Sequence, residues 1–125
     1  MHGRRSTARR GALLCWGVAA LLAIGILYGT LTPSDTLPDM GGGLDKLWHF
    51  VAFAALVFPP VLWRPRNALL MVPFASAFGL GIEVIQPLFG RGFEWSDWIA
   101  DTVGAMVGAT LAVLLHRPAM RLLRR

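Results

Sequence analysis

The sequence predicts an all-α polytopic membrane protein with four transmembrane helices. Hydrophobic residues make up 55% of its 125 residues, charged residues only 15%, and the mean hydropathy is +0.56. A soluble domain has about 25% charged residues. The apolar residues fall into long segments separated by short polar connections. Because lipid offers the backbone no hydrogen-bond partners, each segment long enough to cross the hydrocarbon is expected to be a helix.

The predicted transmembrane helices are residues 11–31, 47–63, 67–86 and 96–115. The predicted connections are an extracytoplasmic loop at 32–46, a cytoplasmic turn at 64–66 and a second extracytoplasmic loop at 87–95, with tails at 1–10 and 116–125. The second helix is the shortest, close to the lower limit of about 17 residues for a crossing. Pro59-Pro60 is expected to kink or end it. The tight turn after it predicts that helices two and three are antiparallel neighbours.

Residues 11–31 also have the basic start and apolar run of a cleaved signal peptide. Their apolar core is longer than the about 7–15 residues of such peptides, and Tyr28-Gly29-Thr30-Leu31 has no small-x-small cleavage pattern. An uncleaved first helix is therefore the preferred interpretation.

The basic residues predict that both termini are cytoplasmic. Ten of the twelve lie on one side of the predicted bundle: Arg4, Arg5, Arg9, Arg10, Arg64, Arg66, Arg117, Arg121, Arg124 and Arg125. Lys46 and Arg91 lie on the other side. Because cytoplasmic connections are enriched in Lys and Arg, the first side is cytoplasmic. The basic charge is thus explained without a nucleic-acid partner.

Aromatic residues are consistent with this assignment. The five tryptophans all fall near predicted helix ends: Trp16, Trp48, Trp63, Trp95 and Trp98. Trp prefers the headgroup level of a bilayer, so these positions match an aromatic belt.

Polar residues converge at the outer ends of helices two to four: Asp45, Lys46, His49, Glu83, Gln86, Arg91, Glu94, Asp97 and Asp101. A charge at depth in lipid costs at least about 2.5–3.5 kcal/mol, so these side chains are expected to face the bundle interior or a water-filled cavity. The set contains five acids and two bases. Such a cluster predicts either protonated carboxylates or a bound cation or cationic ligand.

Glycines predict where helices approach closely. Gly104-x-x-x-Gly108 continues the helical stripe that carries Asp97 and Asp101, and Gly25-x-x-x-Gly29 lies in the first helix. Small residues at this spacing permit close helix contact in membranes. We therefore expect the two aspartates to lie on a packing face and not on the lipid face.

The motifs around the polar residues resemble the VanZ-like family of small bacterial membrane proteins. They are Asp45-Lys46-x-x-His49-Phe50, Glu83-x-x-Gln86, and Arg91 followed by Ser96-Asp97-x-x-x-Asp101-x-x-Gly104-x-x-x-Gly108, which together cover residues 45–108. The resemblance implies a multi-pass protein of the bacterial cytoplasmic (inner) membrane. The family name comes from tolerance to the glycopeptide teicoplanin, so the resemblance also implies a link to antibiotic resistance. Many members have Asn at the position of Asp101.

The main functional hypothesis is a cell-envelope protein with an outward-facing polar pocket that acts on or binds a lipid-linked or peptidoglycan-related group. If the protein is an enzyme, Glu83 and Asp97 are the candidates for acid/base catalysis, with His49 as proton shuttle or ligand. The candidates for binding the ligand or its phosphate are Lys46, Arg91, Gln86, Asp45 and Asp101. No nucleophile motif selects a reaction, so whether the protein is an enzyme stays open.

Three alternatives remain. The protein could be a non-catalytic interaction or assembly module whose polar residues fix helix packing. A divalent metal could bind at His49, Glu83, Asp97 and Asp101, although no cofactor is identified by a motif. An ion pathway is disfavoured, because no ionisable residue continues inward through helices two to four. The expected partners are membrane lipids, a lipid-linked cell-wall precursor or another membrane protein, and the sequence leaves the oligomeric state open.

Overall fold

The computed structural model describes residues 2–36 and 41–123. It has four long α-helices: α1 (His2–Leu31), α2 (Gly41–Trp63), α3 (Ala68–Ile85) and α4 (Trp95–Leu122). Three short 3₁₀ segments connect or extend them: Ser34–Thr36, Pro65–Asn67 and Gln86–Phe89. Each long helix lies in a stretch long and apolar enough to cross a membrane, and the described ranges contain no strand. The predicted all-α class with four such helices is confirmed.

Three of the helices, α1, α2 and α4, extend beyond the predicted apolar segments, whereas α3 lies within its segment. α4 continues to Leu122 through Arg117, Pro118 and Arg121, and arginine is a good helix former. α2 likewise begins at Gly41 and runs through Pro59-Pro60 to its end at Trp63. The proline pair therefore does not end α2.

Consecutive helices run antiparallel. At one end of the bundle, the side chain of Gln86, just after α3, hydrogen-bonds the carbonyl of Thr30 near the end of α1. At the other end, His116 of α4 lies 2.7 Å from the carbonyl oxygen of Leu62 in α2. The beginning of α2 and the beginning of α4 therefore meet beside the end of α3.

The most extensive helix pair is α2 with α4, which are not consecutive in the chain. A Cβ atom added to Gly104 would lie 2.2 Å from the carbonyl oxygen of Phe50, and one added to Gly108 would lie 2.4 Å from that of Ala54. The predicted close contact at these glycines is confirmed. The corresponding expectation for α1 is wrong, because a Cβ at Gly25 or Gly29 would meet nothing within 4 Å.

The apolar core fills the space between the helices. Its buried members come from all four helices: Ala19, Ile26, Phe53, Leu56, Val57, Val61, Met71, Ala75, Ile82, Ala105, Ala109 and Ala112. Phe53 packs against Phe78 with ring centroids 5.9 Å apart. This core fixes the relative positions of α2, α3 and α4, and hence of the polar side chains at their ends.

Candidate functional site

Seven polar residues form a cluster where α2, α3 and α4 meet. The polar cluster consists of Asp45, Lys46, His49, Glu83, Glu94, Asp97 and Asp101. Four members are almost completely buried: the exposed fraction is 5% for His49, 4% for Asp97 and 0% for both Glu83 and Asp101. The convergence of side chains from three helices, expected from the sequence, is thus present in the structure.

His49 lies between two carboxylates of α4. Its Nδ1 is 2.8 Å from Oδ1 of Asp101, and its Nε2 is 3.6 Å from Oδ2 of Asp97. Asp97 and Asp101 are one helical turn apart and so share a face. The first distance is a hydrogen bond and the second is longer than one. The ring is therefore held chiefly by Asp101, with Asp97 beside its other nitrogen.

Lys46 connects the buried part of the cluster to its exposed rim. Its Nζ donates to Oε2 of Glu94 at 3.0 Å and to Oδ1 of Asp97 at 3.1 Å. The side chains of Lys46 and Glu94 are 38% and 54% exposed. The hydrogen bond from Lys46, together with its positive charge, lowers the pKa of Glu94 below its usual value. Glu94 is therefore anionic at neutral pH.

Glu83 joins α3 to the start of α4. Its Oε2 accepts a hydrogen bond of 2.9 Å from the backbone N–H of Glu94, the residue that precedes the first turn of α4. A carboxylate at this position is stabilised by the partial positive charge at a helix N-terminus. Part of the role of Glu83 is therefore structural.

Two buried carboxylate oxygens have no hydrogen-bond partner among the described residues: Oε1 of Glu83 and Oδ2 of Asp101. The second lies against Gly79, where an added Cβ atom would be 2.6 Å away from it. A buried acceptor without a partner costs about 1–3 kcal/mol, and more if it is charged. The cluster therefore retains acceptors that its own donors do not satisfy.

Gln86 and Arg91, two of the predicted ligand-binding residues, are bonded elsewhere. Nε2 of Gln86 donates to the carbonyl of Thr30 at 2.9 Å, and Nη1 of Arg91 donates to that of Thr32 at 3.4 Å. The last carbonyls of a helix have no partner within it, so both side chains satisfy acceptors at the end of α1. Neither contacts an acid of the cluster, which is consequently more acidic than the sequence suggested.

Two overlapping sets within the cluster have the spacing needed to bind a metal ion. One is His49, Glu83 and Asp101, and the other is Asp45, His49 and Asp97. In each set, one ligand atom from each residue lies within 4.8 Å of the others. The four residues predicted as possible metal ligands are therefore divided between two groups that share His49.

Several residues that support the site were not among the predicted site residues. Glu94, which the sequence placed among the converging polar residues without a role, completes the ion pair with Lys46, and Gly79, which the sequence did not single out, leaves room for Asp101. Gly79 precedes Glu83 by one helical turn, so its position on the same face of α3 could have been inferred. The indole of Trp98 donates to the carbonyl of Ser76 at 3.0 Å and helps to join α3 to α4. No sequence pattern indicates that bond.

An apolar groove lies between α3 and α4, separate from the polar cluster. Its lining residues are Ala68, Val72, Met106, Ala109, Thr110, Val113 and Leu114. No member of the polar cluster lines it. Within the polar cluster, Lys46 and Glu94 form an exposed rim, with side chains 38% and 54% exposed, above the buried members.

Comparison with known proteins identifies one family. The family model described as VanZ/LLP1 matches residues 17–116, which include the whole polar cluster. Catechol O-methyltransferase B of Danio rerio is 30% identical over 107 residues, which are 83% of this chain and 40% of that protein. The chain therefore spans less than half the length of this relative. No solved structure matches the chain significantly.

Proposed function

Because the chain belongs to the VanZ/LLP1 family and has four helices able to cross a membrane, we propose that it is a multi-pass protein of the bacterial cytoplasmic membrane with both termini inside. The polar cluster then lies at the outer face, on the cell-envelope side. There it binds or acts on a lipid-linked or peptidoglycan-related group. By this route the protein contributes to glycopeptide tolerance.

The observation that carries this proposal is the burial of Glu83, Asp97 and Asp101 at one end of a membrane bundle. Hydrogen bonds between membrane helices contribute on average only about 0.6 kcal/mol. An acidic side chain at membrane depth costs more, at least about 2.5 kcal/mol. Uncharged residues would join the helices with less penalty, so the acids are better explained by a ligand or a reaction.

The exposed rim supplies the first contacts for such a ligand. The side chain of Lys46 is 38% exposed. Its ammonium group can release the carboxylate of Glu94 and bind a phosphate oxygen instead. Trp48 and Trp95, which are close in sequence to Lys46 and Glu94, are 58% and 62% exposed. Indole rings favour the headgroup level of a bilayer. Nη1 of Arg91 donates a hydrogen bond to the carbonyl of Thr32. The guanidinium group has further N–H donors that can make a second contact with a phosphate.

Glu83 is the better candidate for proton transfer within this site. Both oxygens of Asp97 face positive or polar partners, Lys46 and His49. Oε1 of Glu83, in contrast, has no partner among the described residues. A group that exchanges protons with a ligand needs an oxygen that its neighbours do not occupy.

The proposed topology predicts which positions react from outside the cell. Cys15 is the only cysteine, so a Cys15→Ala background allows single new cysteines to be labelled. Gly92→Cys, in the loop before α4, should react with a membrane-impermeant maleimide on intact spheroplasts. Arg66→Cys, in the turn after α2, should react only after the membrane is opened. The reverse labelling pattern would place the polar cluster in the cytoplasm and overturn the proposal.

The functional proposal predicts a phenotype that depends on Glu83. Expression of the chain in a teicoplanin-sensitive Gram-positive host should raise the inhibitory concentration of the drug. Glu83→Gln should return it to the empty-vector level, because the amide cannot exchange a proton or balance a cationic group. Asp35→Asn, in the exposed 3₁₀ turn after α1, is the control that should behave as the unmodified chain.

The alternative is a non-catalytic assembly module, and the hydrogen bond from Glu94 to Glu83 favours it because that bond caps α4. Thermal unfolding of the detergent-purified variants distinguishes the two. If Glu83→Gln and Asp97→Asn keep or gain stability while tolerance is lost, the acids serve a ligand or reaction. If both variants lose stability sharply, tolerance is lost because the helices separate, and the assembly function is the better account.

A further inference from the structure

We propose that His49, Glu83 and Asp101 bind a divalent transition-metal ion at the junction of α2, α3 and α4. The inference concerns the buried floor of the polar cluster and not its rim. Because Glu83 is also the group proposed above for proton transfer, the metal site is tested by metal binding to the purified chain and not by the tolerance phenotype.

The charge of the cluster calls for a cation. Five carboxylates come together there, and among the described residues the cationic groups within reach are Lys46 and, when protonated, His49. The sequence predicted that Arg91 would be a second base near these acids, but its side chain donates to the carbonyl of Thr32 instead. Lys46 forms ion pairs with Glu94 and Asp97. It forms none with the two more deeply buried carboxylates, those of Glu83 and Asp101.

The two deeper carboxylates each present an oxygen with no partner. Oε1 of Glu83 and Oδ2 of Asp101 are buried and have no hydrogen-bond partner in the described part of the chain, and both residues are 0% exposed. Buried carboxylates normally pair with a charge or coordinate a metal. Both residues belong to the His49 group, so the residues with unsatisfied acceptors are also candidate metal ligands.

The geometry suits a single small ion. One ligand atom from each of His49, Glu83 and Asp101 lies within 4.8 Å of the other two. Ligands held by one ion at about 2.0–2.2 Å are at most about 4.4 Å apart, so small side-chain rotations bring all three into one coordination sphere. The helices that carry the three ligands are packed together, which keeps the ligands in place.

The second candidate group, Asp45 with His49 and Asp97, is less suitable. Oδ1 of Asp97 already accepts a hydrogen bond from Lys46 at 3.1 Å, and an ammonium repels a metal ion. Asp97 instead lies beside the other ring nitrogen: its Oδ2 is 3.6 Å from Nε2 of His49, beyond hydrogen-bond distance in this structure but close enough for a small side-chain rotation to bring the two into contact. A metal-binding histidine usually directs its other N–H to a carboxylate, which fixes the ring. Nδ1, on the Asp101 side, is then the nitrogen for the metal.

The donor set indicates the class of metal. One imidazole and two carboxylates suit Zn²⁺, Mn²⁺ or Fe²⁺, whereas soft metals prefer thiolates and Ca²⁺ prefers a larger set of oxygens. The ligand atoms of His49, Glu83 and Asp101 must be deprotonated to bind a metal ion, so binding should weaken at acidic pH.

The direct test uses the full chain, purified in detergent with a tag that contains no histidine and stripped with EDTA. Titration with ZnCl₂ and with MnCl₂, followed by calorimetry and by thermal unfolding, should show one bound ion per chain and a rise in melting temperature. CaCl₂ should give neither. A Co²⁺ absorption spectrum typical of nitrogen and oxygen ligands would place histidine in the site. Absence of saturable binding by the unmodified chain overturns the proposal, whatever the variants do.

Variants locate the site. Glu83→Gln and Asp101→Asn should each weaken the affinity at least about tenfold, as expected for loss of a ligand or its support, while Asp35→Asn should leave it unchanged. Gly79→Ala keeps every ligand but places a Cβ against Oδ2 of Asp101 and should also weaken binding. Gly81→Ala is its matched control on α3, because a Cβ there meets nothing within 4 Å. Equal affinity in all these variants would place the ion elsewhere and refute the assignment.

Discussion

Replacement of Gly104 by alanine is expected to force α2 away from α4 and to lower the free energy of unfolding by about 3 kcal/mol, at the upper end of the range for overpacking. The new Cβ atom would meet the carbonyl oxygen of Phe50 at 2.2 Å. That obstacle is backbone, so no side-chain rotation relieves it. Gly108→Ala should act in the same way against Ala54, where the distance is 2.4 Å. Urea unfolding in mixed micelles, followed by tryptophan fluorescence, measures both effects.

Two glycines of α1 provide the matched control. Gly25→Ala and Gly29→Ala create the same chemical change at the same spacing, but neither Cβ meets an atom within 4 Å. Alanine favours a helix over glycine by up to about 1 kcal/mol in water, so these variants should be as stable as the unmodified chain or slightly more so. Equal destabilisation on α1 and α4 would mean that the α2–α4 contact does not determine the effect.

Replacement of His49 by leucine is expected to destabilise the fold by about 3–5 kcal/mol, the usual result of removing one partner of a buried ionic pair. The 2.8 Å contact with Asp101 is lost, and a fully buried carboxylate then has both oxygens without a partner. Asp97 loses the ring beside it as well. Unfolding should be measured in EDTA, so that loss of a bound ion does not contribute.

A double-mutant cycle isolates the pair. His49→Leu with Asp101→Leu removes both polar groups, and a buried pair replaced by apolar residues is often neutral or stabilising. The double variant should therefore recover much of the stability that the single His49→Leu variant loses. If the losses simply add, the two residues do not act as a pair and the contact is energetically unimportant.

Much of the fold follows from the sequence because the constraints are local. Backbone hydrogen bonds must be satisfied inside each apolar segment, so helix number and the end at which Glu83 and Asp97 lie can be deduced from composition and spacing. The stripe that joins Asp97 to Gly108 also predicts the packing face of α4. These features depend on helix periodicity alone, and the structure contains them.

Contacts that depend on how helices rotate and pair could not be deduced in this way. The short turn between α2 and α3 predicted that these two helices are antiparallel neighbours, which they are, but it gave no indication that α2 would pack most extensively with α4. Arg91 has the same charge whether it faces the acids or the end of α1, and only the path of the loop directs it to Thr32. Gly25 and Gly29 have the same spacing as the α4 pair, but no atom lies within 4 Å of the place where a Cβ would be added to either.

The pairing of α2 with α4 also has a consequence for biosynthesis. A ribosome delivers α2 and α3 to the membrane before α4, so His49 and Glu83 enter it before the aspartates that complete their surroundings leave the ribosome. During that interval the two side chains lack Asp101 and the backbone N–H of Glu94 as partners. When α4 enters the membrane, it brings both of these partners together and forms the contact with α2. Assembly of this protein is therefore expected to finish in a single late step, and nascent chains stopped before residue 95 should be preferred substrates of membrane quality control.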